Sequence, residues 1–310
     1  MAEKVTVREV GLRDGLQLAK DFLDTQLKLE WARAEAAAGV REIEVTSFVP
    51  PHVIAQFSDA GTVASTALTI PGLLASALIP NLRGAQTGFD LGVAKLNFVC
   101  SASEAHNQAN VRRSTDESLA DFDRIMDERK ARGLDGKTAI AGGIATSFGC
   151  TIQGAVPEER VLAIASAYAE AGADEIMVAD TVGYANPSQV RRILAAVVRE
   201  VAPLPVAAHF HDTRGLGLAN VVAALDAGVR LFDSSLAGLG GCPFAPGASG
   251  NINTEDCVYL LESMGFDTGV DLDVLLRLRE RLPQWLPQEK LTGAIERAGL
   301  PKTFVCAHAA

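Results

Sequence analysis

The chain repeats one event eight times: a short apolar segment, a loop, a helix-compatible stretch, then the next apolar segment. The apolar segments fall at residues 5–10, 41–48, 73–79, 91–99, 137–146, 173–179, 205–211 and 229–234. Helix-compatible spacing follows the first seven in turn, at 24–38, 51–59, 80–87, about 116–130, 158–171, 188–201 and 217–227, with two more stretches after the eighth at 254–263 and 271–282. Strands separated by helices pair in parallel through right-handed crossovers, and eight such units can close on themselves. Three turns of one type, Ala38-Gly39-Val40, Ala171-Gly172-Ala173 and Ala227-Gly228-Val229, each end a helix and launch a strand. The expectation is an α/β fold, a TIM (β/α)8 barrel. Residues 1–310 then form a single catalytic barrel domain, with a short C-terminal helical extension at about 254–300. An open doubly wound sheet is the competing architecture, but no GxGxxG follows the first strand and no Walker motif occurs.

In a barrel the chemistry belongs at the C-terminal ends of the strands, and the unusual polar residues lie there. The first strand runs into Gly11-Leu12-Arg13-Asp14-Gly15 and the second carries Glu44 between Ile43 and Val45. The fourth carries Lys95 and Asn97, the sixth ends in Asp180-Thr181, and the seventh carries His209 and His211. Residues two apart share a strand face, so Glu44 points inward, where a carboxylate needs a cation or donors. Arg13 on the neighbouring strand is the candidate partner; a purely structural polar interior is the other reading. His209 and His211 share a face as well. They either converge on a metal or cap the strand as hydrogen-bonded polar groups.

With Asp14 at another strand end and Asn251 in the last loop, the pair becomes two nitrogens and two oxygens aimed at one mouth. That donor set suits Mg²⁺ or Mn²⁺, with Co²⁺ or Zn²⁺ as further options. Asp212 is one residue out of phase, which fits local hydrogen bonding. Cys242 lies among glycines in a long loop, either as a proton donor or as a small loop residue. Cys100, Cys150 and Cys257 read as buried thiols, His52 and His106 as surface or helix-start residues, and Trp31 and Trp285 as helix packing. Cys306 and His308 are assigned nothing.

Composition limits the partners. With 28 basic and 38 acidic residues the formal net charge is -10, the wrong balance for a broad nucleic-acid surface. The most apolar run, around residues 68–80, is too short for a membrane span, and no signal-peptide pattern opens the chain. A cytoplasmic protein is expected, with no nucleic-acid or membrane partner.

At these residues the sequence resembles the hydroxymethylglutaryl-CoA lyases, aldolase-type barrels with an Asp-Arg-Glu signature. The resemblance is carried by VGLRDGLQ at 10–17, IEVTSFV at 43–49, HFHDT at 209–213 and GLGGCPFAPGASGN at 238–251. It implies that Asp14, His209, His211 and Asn251 are divalent-metal ligands. Arg13 would stabilise a thioester enolate, Glu44 would hold this arrangement, and Cys242 would be a proton-donating loop thiol. His209 or Asp14 would be the base. The implied reaction is cleavage of 3-hydroxy-3-methylglutaryl-CoA to acetyl-CoA and acetoacetate, by a homodimer and in the context of leucine breakdown. Leu18-Ala19-Lys20, Arg214-Gly215-Leu216 and Thr151-Ile152-Gln153 depart from the usual pattern of that family. A related acyl-CoA, such as citramalyl-CoA or a longer-branched hydroxyglutaryl-CoA, is therefore the alternative substrate. An isopropylmalate-synthase-like condensing enzyme shares the Arg-Asp and histidine signals but not the cysteine loop. A biotin-dependent carboxyl-transfer barrel would need a carbamylated lysine, for which Lys95 has no surrounding motif. A non-catalytic binding barrel would leave the inward charges without purpose.

Overall fold

A computed structural model describes residues 2–241 and 250–306. Cys242 and His308 lie outside the described residues. Eight strands form a closed parallel barrel in sequence order: β1 (Thr6–Glu9), β2 (Glu42–Ser47), β3 (Leu74–Ile79), β4 (Lys95–Ser101), β5 (Ala139–Ala145), β6 (Glu175–Asp180), β7 (Val206–Phe210) and β8 (Leu231–Ser234). Strand β8 pairs back onto β1, so no sheet edge is left open. The expected barrel is the observed one.

The outer layer is helical: α1 (Thr25–Ala37), α2 (Ala60–Ala67), α3 (Leu82–Leu91), α4 (Glu104–Val111), α5 (Thr115–Ala131), α6 (Glu158–Glu170), α7 (Pro187–Glu200) and α8 (Gly217–Asp226). After β8 come α9 (Thr254–Ser263), α10 (Leu272–Arg279), α11 (Leu282–Trp285) and α12 (Ile295–Ala298). Local signals set the boundaries. Asp24 caps α1 through the Gln26 amide, Ser114 and Glu117 form a capping box on α5, and Asn186 caps α7 ahead of Pro187. The Ala-Gly turns work as expected. Gly39 takes φ 102°, and a Cβ there would lie 2.1 Å from the Gly269 carbonyl oxygen.

The main core lies between strands and helices. Tyr168 of α6 packs edge to face with both Phe98 of β4 and Phe122 of α5, the Phe122 and Tyr168 centroids 4.6 Å apart. Trp31 and Trp285 stack at 6.3 Å, fulfilling their reading as helix packing. Cys100, Cys150 and Cys257 are buried thiols, as expected. A smaller apolar cluster of Met177, Ala179 and Ala207 sits apart from the main core.

Four local expectations need correction. Residues 51–59 form turns and one 3-10 turn (Ala55–Phe57) rather than a helix, because the Pro50-Pro51 pair and extended Ile54 break the first turns. The helix lies just beyond, where small residues let α2 approach the barrel closely through Ala60, Val63, Ala64 and Ala67. The fourth strand begins at Lys95, not Leu91, since α3 runs on and ends at left-handed Gly92. Helix α4 occupies a stretch read as loop; it starts at the Ser103 cap and holds His106 buried in its first turn, so of the two readings of that residue the helix start holds and the surface does not. The stretch at 271–282 divides into α10 and the short α11.

Candidate active site

The C-terminal end of β1 does not run straight into a loop. Gly11–Gly15 winds into a single π-type turn, in which the Leu16 N–H donates to the Gly11 carbonyl. Gly11 is required by packing: a Cβ there would lie 2.6 Å from a Glu9 carboxyl oxygen and 2.9 Å from the Trp31 ring. The turn delivers Arg13 and Asp14, both buried, to the barrel mouth. The Arg13 Nε donates to Glu44 Oε2, and its Nη1 donates to Asp14 Oδ1 at 2.6 Å. The inward Glu44 thus finds the cation expected for it, and Asn97 donates to its other oxygen at 2.8 Å. Burial alone would raise the Asp14 carboxyl, but the Arg13 guanidinium and the two histidines hold it well below the usual range.

Strand β7 supplies the imidazoles. His209 and His211 are buried, and their Nε2 atoms lie 3.2 Å apart, with Asp14 Oδ2 3.7 Å from His211 Nε2. One ligand atom from each of Asp14, His209 and His211 falls within 4.8 Å of the others, a group able to hold a metal ion. Asn251 bridges to His211 through its backbone, and its amide donates to Asp14 Oδ2 at 2.7 Å. The Asn251 Oδ1 is buried and meets no donor among the described residues. Two imidazoles and a carboxylate converge, and the adjoining Asn251 side chain carries an unsatisfied amide oxygen, so the donors fit a divalent cation. Asp212 points elsewhere and accepts from the Gly217 amide at 2.7 Å, the local role expected of it.

Below this mouth lies a charged interior that the sequence reading did not assemble. Arg8 reaches Asp233 at 2.6 Å and Glu175 at 2.5 Å, while the Lys95 ammonium sits between Glu42 and Glu175, 2.7 Å from each. Lys95 therefore serves as a paired ammonium in an ion-pair network. Asp233 also accepts from His209 Nδ1 at 3.2 Å. Burial lowers the His209 basicity, but that hydrogen bond and the Asp14 and Asp233 charges outweigh it and raise the imidazole above its usual range. The interior holds three cations (Arg8, Arg13 and Lys95) against five carboxylates (Asp14, Glu42, Glu44, Glu175 and Asp233). A divalent cation bound there would offset that excess of negative charge, which a low-dielectric interior tolerates poorly.

Two grooves flank the mouth. One, of about 470 Å³, is lined by Gln17, Leu18, Lys20, Phe22, Val53 and Asn110 among others. The other, of about 500 Å³, is lined by Phe148, Gly149, Tyr184, Gln189 and Arg214, with the Arg214 guanidinium 4.5 Å above the Tyr184 ring. Asp180 holds that side, accepting from the Tyr184 and Ala185 amides. Among the described residues no helix is long and apolar enough to cross a membrane.

Comparison with known proteins points the same way. The HMGL-like family profile matches residues 4–282. A hydroxymethylglutaryl-CoA lyase of Bacillus subtilis strain 168 is 40% identical over 293 residues, covering 93% of this chain and 97% of that protein. An (R)-citramalyl-CoA lyase of Chloroflexus aurantiacus is 38% identical over 307 residues, covering 96% of this chain and 95% of that protein. Among solved structures, an HMG-CoA lyase of Acinetobacter baumannii in complex with coenzyme A and 3-methylmalate superposes with TM-score 0.91 at 40% identity. That match covers 97% of this chain and 96% of the other.

Proposed function

Since the chain belongs to the HMGL-like family, we propose that it is a divalent-metal-dependent acyl-CoA lyase. The leading reaction is retro-Claisen cleavage of 3-hydroxy-3-methylglutaryl-CoA to acetyl-CoA and acetoacetate. The observation that carries this reading is the convergence of Asp14, His209, His211 and Asn251 beside an Arg13 fixed by Glu44.

In this reading those four residues hold Mg²⁺ or Mn²⁺, with Co²⁺ or Zn²⁺ as further options. The bound cation supplies Lewis acidity to the substrate hydroxyl, easing loss of its proton. The proton goes to a base of this chain at the same mouth, with His209 and Asp14 as the candidates. As the C2–C3 bond breaks, C3 becomes the ketone of the departing keto acid and the electron pair moves onto the thioester. Arg13 has committed Nε and Nη1 to carboxylates, which leaves its remaining amino group to stabilise that developing enolate oxygen. Cys242 then protonates the enolate carbon, giving acetyl-CoA.

Apolar Leu18, Phe22 and Val53 beside Lys20 make the 470 Å³ groove suited to the pantetheine arm and phosphates of a CoA thioester. A second reading, citramalyl-CoA cleavage to acetyl-CoA and pyruvate, is favoured by the 38% identical relative. A homodimer in the cytoplasm completes the proposal. The deciding experiment is an acyl-CoA panel with product masses read in EDTA and in added Mg²⁺ or Mn²⁺. Acetoacetate formed only with metal supports the leading reaction, and pyruvate supports the second. No cleavage of any member under either condition refutes both. Cys242→Ser should bind substrate yet turn over at least tenfold more slowly; near-normal turnover removes Cys242 from its role.

A further inference from the structure

Three carboxyl groups behind the barrel mouth, Glu9, Glu35 and Glu255, are completely buried and take no part in the proposed reaction. Glu255 is answered by a cation, the Arg279 Nε at 2.7 Å. Glu9 and Glu35 have no cationic hydrogen-bond partner among the described residues. Glu9 closes β1 and is saturated with donors: the Gly11 and Leu236 amides at 2.7 and 2.9 Å, and the Thr254 hydroxyl at 2.7 Å. Glu35, on α1, accepts from the Trp31 indole N–H at 2.5 Å through one oxygen. Its Oε2 is buried and meets no donor, and its carboxyl lies in hydrogen-bonding contact with that of Glu9. Two acceptor oxygens in contact away from water are satisfied only by a proton between them. The three donors on Glu9 favour its charged form, and the proton belongs to Glu35, whose carboxyl both burial and the neighbouring Glu9 push well up.

We infer that Glu35, as a neutral acid donating to the Glu9 carboxylate, is a positioning residue that bolts helix α1 to both backbone segments carrying the active site. The first segment is the turn Gly11–Gly15, held through the Gly11 amide and pressed against Glu9 and Trp31. The second starts at Leu236, whose amide Glu9 also holds; three residues on, the Leu239 carbonyl accepts from the Asn251 side chain at 2.9 Å. One carboxylate therefore sets the spacing between Arg13 and Asp14 on one side and Asn251 on the other. Without the Glu35 proton, Glu9 faces a bare acceptor and both segments lose their common anchor.

The inference rests on the reading of Asp14 and Asn251 as metal ligands, and its test separates the two. Glu35→Leu and Glu35→Gln are compared with the unaltered chain by Mn²⁺ calorimetry, acyl-CoA cleavage kinetics and thermal melting. Glu35→Leu should bind Mn²⁺ at least tenfold more weakly and lose tenfold or more in kcat with KM near the original. Glu35→Gln should stay within twofold, because its amide donates to Glu9 and its oxygen takes the Trp31 N–H. A Glu35→Leu that melts early but keeps Mn²⁺ affinity and kcat within twofold overturns the inference, as does a Glu35→Gln that fails equally. Should Glu35→Leu not fold, Trp31→Phe removes only the donor that fixes Glu35, and unchanged Mn²⁺ affinity there overturns it as well. An unaltered chain that binds no Mn²⁺ overturns the metal reading and this inference together.

Discussion

Asp233→Asn is the sharpest test of how the interior serves the mouth. Asp233 Oδ1 takes the Arg8 guanidinium, with Nη2 at 2.6 Å and Nε at 2.7 Å, and Oδ2 takes His209 Nδ1. Arg8 can only donate, so the asparagine must turn its oxygen to Arg8 and its NH2 group to His209. Two donors then face each other unless the imidazole shifts its proton to Nε2, the nitrogen that points at His211. The Nε2 lone pair is lost in that tautomer. Changing such an outer partner of a metal-binding histidine costs about 10–100-fold in affinity, or roughly 1.4–2.8 kcal/mol. The fold should suffer less than the roughly 3–5 kcal/mol of a fully broken buried pair, because Arg8 keeps Glu175 at 2.5 Å. Mn²⁺ calorimetry and urea unfolding read the two effects separately, and ¹⁵N shifts of His209 report its tautomer. Unchanged Mn²⁺ affinity in a folded Asp233→Asn refutes the orientation argument.

Further outcomes follow from the same contacts. Lys95→Met leaves Glu42 and Glu175 to Arg8 alone and should cost about 3–5 kcal/mol of stability in urea unfolding; a loss under about 1 kcal/mol would show that the network is not holding the barrel. Glu44→Gln frees the Arg13 Nε from its carboxylate and should lower kcat at least tenfold with little change in KM in steady-state assays. The raised pKa of the Glu35 carboxyl, pushed up by burial and by the neighbouring Glu9, means that the folded state keeps a proton the unfolded state releases. Its contribution therefore makes stability fall as pH rises above about 4.5, the ordinary carboxyl value, and Glu35→Gln, which carries no such proton, should show a shallower fall in pH-dependent melting.

The barrel and its mouth were legible because both are written in periods. Alternation along strands turned Glu44 and the pair His209 and His211 inward, and eight strand–helix units closed as the alternation required. The interior network was illegible for the opposite reason: it depends on register between strands. Asp233 pairs with His209 across β7 and β8, and with Arg8 across β8 and β1, so three residues from three distant parts of the chain form one row. No period within a strand states which residue of the next strand lies beside it. A signal did exist, in that Arg8, Glu42, Lys95, Glu175 and Asp233 each place a charge in an otherwise apolar or small segment. Charges that cannot remain alone inside a barrel must find each other, and counting them by sign would have given the pairing without the register. It would also have left an excess of carboxylates, the condition under which Asp14 and two imidazoles can share one divalent cation rather than repel it.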